Sequence, residues 1–459
     1  MTIGNPIHRP KISVAVVEKR KRSEKRNCCV IGEHIQFNEK GLLSYCFADW
    51  QPVVFDMLVV AAAVEFCDRL QKRPALGWSR DIELEIPVHE KARWDAPNVQ
   101  ASLTAALGFL TGDRWTLNFV SRKSAVVPPQ SQGSFTLPAG VGAILPFSDG
   151  MDSRAAATLF AKQSGRDVLC VRLGTKKTDK PRKGKQSLPF TTLPYKVQSK
   201  SVRLMESSNR SRGFKFTIVA GIAAYLSNVK TIVVPESGQG ALGPALIPVV
   251  HAYPDYRNHP SFTDKMERFI AALLKFQVTY TYPRLWFTKG ETLKAFADEP
   301  QNATAWDSTW SCWQQNRHVP VDGRKRQCGI CAACMLRRTS VHAAGLSEPK
   351  DRYVWENLSA ATFEGGAAPG FAKSMDALRQ HALAGTLHLE HLAGLADSTR
   401  HSATLRRNAI QLASALGISS DDAETNLASL LCRHRDEWRG FLTSLSADSF
   451  VRQWAGDVS

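Results

Sequence analysis

No apolar run in the sequence is long enough to cross a membrane. The best candidate, Val53 to Cys67, is broken by Asp56 and Glu65, and a span needs about 20 apolar residues. The N-terminus lacks the apolar core of a secretory signal. No G-x-x-x-x-G-K-[ST] loop occurs anywhere, which excludes the Walker class of nucleotide-binding proteins. Acidic side chains are in deficit: 42 Asp and Glu stand against 59 Lys and Arg, a formal net charge of +17. That balance implies affinity for something acidic. Part of it is local, in the runs Lys19–Arg26 and Lys176–Lys185. Neither run contains an aromatic residue, so no base-stacking platform is indicated. A solvated tail and loop, or a surface making weak contact with nucleic acid, are the two readings. Ten cysteines without a secretory signal point to reduced thiols, a cytoplasmic protein and a metal site.

What is present is ordinary for a globular chain of two or three domains: 459 residues, 43% hydrophobic and 22% charged. The rest is organised around Ala143 to Ala157. A short apolar run ending at Phe147 has the size of a buried strand. The polar loop Ser148-Asp149-Gly150-Met151-Asp152-Ser153 follows, and then an Ala-rich segment through Gln163 reads as a helix. Strand, loop and helix in that order set backbone N–H groups and a positive dipole end against an anion. Gly150 allows close approach, Ser148 and Ser153 offer hydroxyls, and Asp152 suits Mg²⁺ or orders the loop. An ordinary strand-to-helix turn capped by Asp and Ser is the plain alternative.

Residues 1–138 read as an α+β domain. Strands are expected over Asn27–Phe37, Leu42–Phe47, Asp81–Val88 and Trp115–Val120, with helices over Gln51–Arg73 and Pro97–Leu110. His89 and the cluster Leu110 to Trp115 stand at element ends, and a lone histidine there is read as structural. Pro128 to Gly140 has linker composition. Residues 139–345 alternate strands, at Asp167–Leu173 and Thr231–Val234, with helices, at Phe214–Leu226 and Thr263–Leu274. This implies an α/β domain with a doubly wound parallel sheet, whose ligand lies beyond the strand carboxyl ends. Arg212 and the Pro235–Gly240 loop, with Glu236 and Gly238, should then face the Ser148 loop. Lys289 starts a helix, against the dipole preference, and so is read as facing a bound anion or as solvated. Residues 346–459 read as a helical extension, with helices over Lys373–Leu383, Leu387–Leu395, Thr399–Leu416 and Asp422–Cys432.

Cys328, Cys331 and Cys334 form two overlapping C-x-x-C units, with Cys312 upstream. Four thiolates make a closed tetrahedral zinc site. An iron–sulfur cluster fits the same spacing. A redox pair would leave Cys312 and one further cysteine unexplained.

The Ser148 loop resembles the S-G-G-x-D-S pyrophosphate loop of the PP-loop (HUP-like) ATP pyrophosphatases, with Asp149 in place of the first glycine. Further motifs are Ser211-Arg212-Gly213, Tyr253-Pro254-Asp255-Tyr256-Arg257, Thr288-Lys289, Ser311-Cys312-Trp313 and the cysteine block followed by Leu336-Arg337-Arg338. Together they look like the QueC family, the 7-cyano-7-deazaguanine synthases, over about residues 140–345. The extra N-terminal region and helical tail are similar to the QatC type of antiphage defence systems. Tyr256 stands where the family usually has cysteine, and Pro235 to Gly238 replaces a Gly-Ala-Asn type of turn.

The resemblance implies an ATP-dependent ligase, with ATP, Mg²⁺ and Zn²⁺. Its substrate would be 7-carboxy-7-deazaguanine, and its acceptor a partner protein's amine or ammonia. It places Ser148, Asp149, Gly150, Met151, Asp152 and Ser153 around the pyrophosphate, with Arg212 and Lys289 neutralising charge. Glu236, Gly238, Asp255 and Arg257 would hold the base, and Asp152, Ser153 and Lys289 would act in the chemistry. A PP-loop tRNA-modifying enzyme and a nucleotide- and zinc-binding protein without turnover are the rivals.

Overall fold

The computed structural model describes residues 9–19, 27–38, 41–42, 45, 51–74, 77–124, 140–148, 150–173, 189–248, 252–302, 305–313, 320–321, 323–371, 375–397 and 399–456. Asp149, the Lys176–Lys185 run, most of the Lys19–Arg26 run, most of Leu42–Phe47 and the 128–139 linker lie outside the described residues. Two compact units result. One comprises Met1–Ser148, Ala161–Val234 and Val250–Thr281, and the other Asp149–Phe160, Pro235–Val249 and Tyr282–Ser459. No helix among the described residues is long and apolar enough to cross a membrane.

The first unit holds two four-stranded sheets. The strands of the first are β1 (Lys11–Val17), β2 (Asn27–Val30), β4 (Asp81–Val88) and β5 (Arg114–Ser121), and a short β3 (Ile35–Phe37) lies apart. The second has β6 (Val141–Phe147), β7 (Asp167–Arg172), β9 (Thr231–Val233) and β10 (Thr279–Thr281), with a short β8 (Tyr195–Val197). The orders are β2-β1-β4-β5 and β10-β9-β6-β7. Every pairing within them is parallel. In each sheet the chain starts at an inner strand, steps to one side, and returns to add two strands on the other. The two sheets therefore share one topology, with switch points at β1/β4 and β6/β9.

Pairing between the halves follows the same correspondence. β3 and β8 form an antiparallel ribbon. The helix Pro52–Leu70 packs on Arg212–Leu226, and Pro97–Thr111 packs on Pro260–Leu274. Each helix thus meets the one in its own position in the other half. The α+β expectation for residues 1–138 is corrected by these pairings, because crossover helices join parallel strands in an α/β arrangement. Helix Pro52–Leu70 is buried nearly all round, since a sheet and another helix cover it. At its C-terminal end Arg80, fully buried, bonds Asp68 at 2.8 Å and Asp113 at 2.9 Å. Arg73 bonds the same two carboxylates at 2.7 and 2.8 Å. Burial works against the Asp68 charge, but Arg73 and Arg80 hold its carboxyl below the usual range. The Leu110–Trp115 cluster is part of this structural network. Gly112 has φ 71° as the helix C-cap, and a Cβ there would lie 2.8 Å from the Tyr253 ring.

The second unit is mostly helical. Two of the expected C-terminal helices are one, Asp376–Asp397, which runs straight through Gly385. The glycine costs helix propensity, but a Cβ there would lie 2.7 Å from the Ala332 backbone N. It is a contact glycine and not a break. Helices Ser402–Leu416, Ser420–Thr443 and Phe450–Ala455 follow. Leu378, Leu389, Trp438, Phe441 and Phe450 share one core with the four cysteines.

Candidate functional site

Cys312, Cys328, Cys331 and Cys334 are buried, and their sulfurs lie within 4.8 Å of one another. Cys331 caps the helix Ala332–Ala343 and Cys334 lies in its first turn, and Gly329 at φ 84° turns the chain between Cys328 and Cys331. The Cys328 and Cys334 sulfurs are 3.8 Å apart, the separation that a tetrahedral ion with bonds of about 2.3 Å to sulfur imposes. Backbone N–H groups point at the sulfurs, from Cys328 to Cys312 at 3.2 Å and from Cys331 to Cys328 at 3.3 Å. Hydrogen bonds from Cys312, Cys328 and Cys334 draw the Cys331 thiol well below its ordinary range, while burial pushes Cys328 and Cys334 up. Four buried thiols crowded this closely fit a metal such as zinc. The four ligands leave no open position, so such an ion would brace the fold and not act on substrate.

In the same unit, the helix Met151–Ser164 begins three residues after Ser148. Ser153 is buried and donates to the Gly150 carbonyl at 3.0 Å. Met151 is buried against Leu293, Phe296 and Trp306. Asp152 accepts from Ser237 at 3.4 Å and from the ammonium of Lys289. Lys289 is buried at the first position of the helix Lys289–Ala297, behind a Thr288/Glu291 capping box. The anion it faces is therefore Asp152.

Behind Lys289 lies a network that the sequence reading missed. Gln239 Oε1 accepts from the Lys289 backbone N–H at 2.6 Å. Its amide nitrogen meets His434 Nδ1 at 3.0 Å and Glu437 at 3.3 Å, and Thr288 donates to Glu437. Burial pushes the Glu437 carboxyl up to about 7 and pulls His434 down to about 4. The long helix Ser420–Thr443 thus fixes the segment that presents Lys289. Only the capping box was readable locally; Gln239, His434 and Glu437 are joined across 195 residues or more.

Gly238 has a packing reason, since a Cβ there would come within 2.3 Å of the Leu285 carbonyl and 2.4 Å of Leu430. Glu236 lies with its carboxylate over Gly240, where a Cβ would come within 2.4 Å of it, at the start of helix Gly238–Leu246.

The other candidates belong to the first unit. Ser148 is exposed immediately after β6. Arg212 is exposed at the start of its helix, its guanidinium 4.9 Å over Phe216. Asp255 bonds Arg257 at 2.6 Å and pairs with Arg210 at 3.6 Å. Burial opposes its charge, yet Arg257 holds its carboxyl below the ordinary range. Arg210 is the second cation on this carboxylate. It sits 4.8 Å over Trp78. Gly213 lets the two turns meet, since a Cβ there would lie 3.0 Å from the Arg257 backbone.

Parallel sheets, a buried Lys–Asp pair on the segment that follows β6, and four clustered cysteines that could hold a metal define an α/β protein. Comparison with known proteins narrows the class. Residues 246–345 match the family model of queuosine biosynthesis protein QueC. A 7-cyano-7-deazaguanine synthase of Rhizobium etli (strain CIAT 652) is 35% identical over 109 residues, 23% of this chain and 41% of the relative. That of Marinomonas sp. (strain MWYL1) is 33% identical over 100 residues, 22% of this chain and 39% of the relative. The chain thus spans about two fifths of the curated relatives it matches. The family match takes in Asp255, Arg257, Lys289 and all four cysteines, and begins after the Ser148 loop, Arg212, Glu236 and Gly238.

Proposed function

We propose that the chain is an ATP-dependent ligase acting on the carboxylate of 7-carboxy-7-deazaguanine. One carboxylate oxygen attacks the α-phosphorus of ATP, pyrophosphate leaves, and an acyl-adenylate forms. An amine then attacks the acyl carbon, AMP departs with that oxygen, and the amine loses a proton to give an amide. The acceptor we assign is an amine of a partner protein, in the manner of the QatC type of defence systems. With ammonia as acceptor, a second activation would dehydrate the amide to a nitrile.

The observation that carries the reading is Lys289, inside the QueC-type segment, paired with Asp152 of the Ser148 loop. A buried ammonium held by a carboxylate is a prepared cation for phosphate charge that develops in the transition state. ATP would bring phosphate oxygens to Lys289 and Mg²⁺ to the Asp152 carboxylate, which suits that ion. Gly150, Met151 and Ser153, with Ser148 and Asp149, would receive the pyrophosphate. Arg212 would neutralise charge, and Glu236, Gly238, Asp255 and Arg257 would order the base or the turns around it. Zinc on the cysteines would hold the Ala332–Ala343 helix in place.

Incubation of full-length protein with ATP and 7-carboxy-7-deazaguanine should release AMP and pyrophosphate in equal amounts. Release should depend on the acid and rise when the partner protein is supplied. No release above background, with or without partner, overturns the reading.

A further inference from the structure

The first sheet repeats the strand order of the second, yet nothing above uses its carboxyl edge. In open parallel sheets ligands lie outside that edge at the switch point, here between β1 and β4. His89 follows β4 directly and lines an open cavity of about 700 Å³ with Glu90, Lys91, Arg93, Asp95 and Ser121. That volume suits a small-molecule ligand.

His89 is held firmly. The fully buried Asp56 accepts from the His89 ring at 2.8 Å, from its backbone N–H at 2.9 Å, and from the Glu90 backbone N–H at 3.2 Å. The carboxylate fixes the proton on Nδ1 and assigns Nε2 to whatever else the ring meets. Nε2 is buried and has no partner among the described residues. Arg122, just past β5, is bonded to the Val88 carbonyl through its backbone at 2.9 Å. Its Nε donates to Glu18, which follows β1, at 2.6 Å and to Ser124 at 2.9 Å. Its Nη1 is buried and likewise without a partner among the described residues. Both side chains lie on Phe55, with the guanidinium 4.9 Å and the imidazole 6.0 Å from that ring. They are only 10% and 11% exposed. Two buried nitrogens left open at one sheet edge cost stability unless a ligand takes them; with Nδ1–H given to Asp56, Nε2 donates once it too carries a proton.

We propose that this edge is a second ligand site, at which the His89 imidazolium, protonated on Nε2 by the acidic phosphate or solvent while Asp56 keeps Nδ1–H, and Arg122 Nη1 together donate to the oxyanion of a phosphate-bearing small molecule. Glu18 and Asp56 orient the two donors, and at the rim Lys91 and Arg93 are paired with Asp95 and Glu90. The proposal is independent of the ligase reading.

The test is a titration of full-length protein, ¹⁵N-labelled at histidine, with inorganic phosphate in one arm and adenosine monophosphate in the other. His89→Asn keeps an N–H donor toward Asp56 and removes Nε2, so it assigns the His89 resonance. The Nε2 signal should move saturably with phosphate. A tighter response to adenosine monophosphate supports the site and identifies a nucleotide as the source; an equal response supports it and identifies the phosphate group alone. Arg122→Gln should weaken the apparent affinity about tenfold, the loss of a charge-assisted hydrogen bond. A His89 signal unmoved by both probes overturns the proposal, as does an Arg122→Gln titration that matches the native one. Circular dichroism of both variants checks that they fold.

Discussion

The two sheets of the first unit follow the same path but finish it differently. β6 runs through Ser148 toward Gly150 and the helix Met151–Ser164. β1 is followed by Glu18, whose carboxylate is taken by Arg122 from the far side of its own sheet. Topology supplies an edge where strands diverge; the residues at the strand ends decide what that edge can hold. Charge is handled differently as well. In the first half Asp68, Arg73, Arg80 and Asp113 neutralise one another and are fully enclosed. The segment leaving β6 instead carries Asp152, whose cation Lys289 sits on a segment braced by Gln239 and Glu437.

The contrast breaks most sharply at Arg80. Replacement by Ala leaves Asp68 and Asp113 short of a partner inside the protein, and should cost about 3–5 kcal/mol in urea unfolding. A loss below 1 kcal/mol would mean that the network is not structural. Next in size is Lys289→Ala. It should lower AMP release by about 10²–10³, or about 3–4 kcal/mol, with the fold retained. A wild-type rate would remove Lys289 from the chemistry.

Glu437 gives the third effect. Its folded pKa of about 7 lies above the ordinary 4.5, so the native state binds the extra proton between those values. Stability from this group is therefore fully present below pH 4.5 and is lost as pH rises toward 7, by about 3 kcal/mol in the limit. His434, lowered to about 4 from 6.5, slopes the opposite way and loses stability as pH falls through that range. The difference between the native protein and Glu437→Gln isolates the carboxyl. The variant should be relatively more stable at pH 8 than at pH 5, and parallel pH profiles would refute the assignment. The smallest effect is expected from Gly385→Val, which should cost about 1–3 kcal/mol by forcing its helix off Ala332. Bound zinc should fall with it, whereas unchanged stability would show that the two helices can separate freely.

The sequence disclosed what local rules govern. β4 was readable residue for residue, because apolar and polar side chains alternate from Asp81 to Val88. The cysteine centre was legible because three of its ligands lie within seven residues. Helix Asp376–Asp397 was misread as two because Gly385 looks like a break until Ala332 is placed beside it. The parallel first sheet was misread because alternation alone carries no strand direction. Arg210 was not singled out in the sequence, since only the folded turn shows that its guanidinium reaches Asp255. Likewise, the partners of Asp152 and Lys289 come from distant helices, and no spacing rule links residue 239 to residue 434.

The most direct measurement follows an oxygen atom. With ¹⁸O in the carboxylate of 7-carboxy-7-deazaguanine, the proposed acyl-adenylate carries one labelled oxygen to phosphorus, so the AMP released on amide formation should contain ¹⁸O. Unlabelled AMP, or label found in inorganic phosphate alongside ADP, would contradict adenylation.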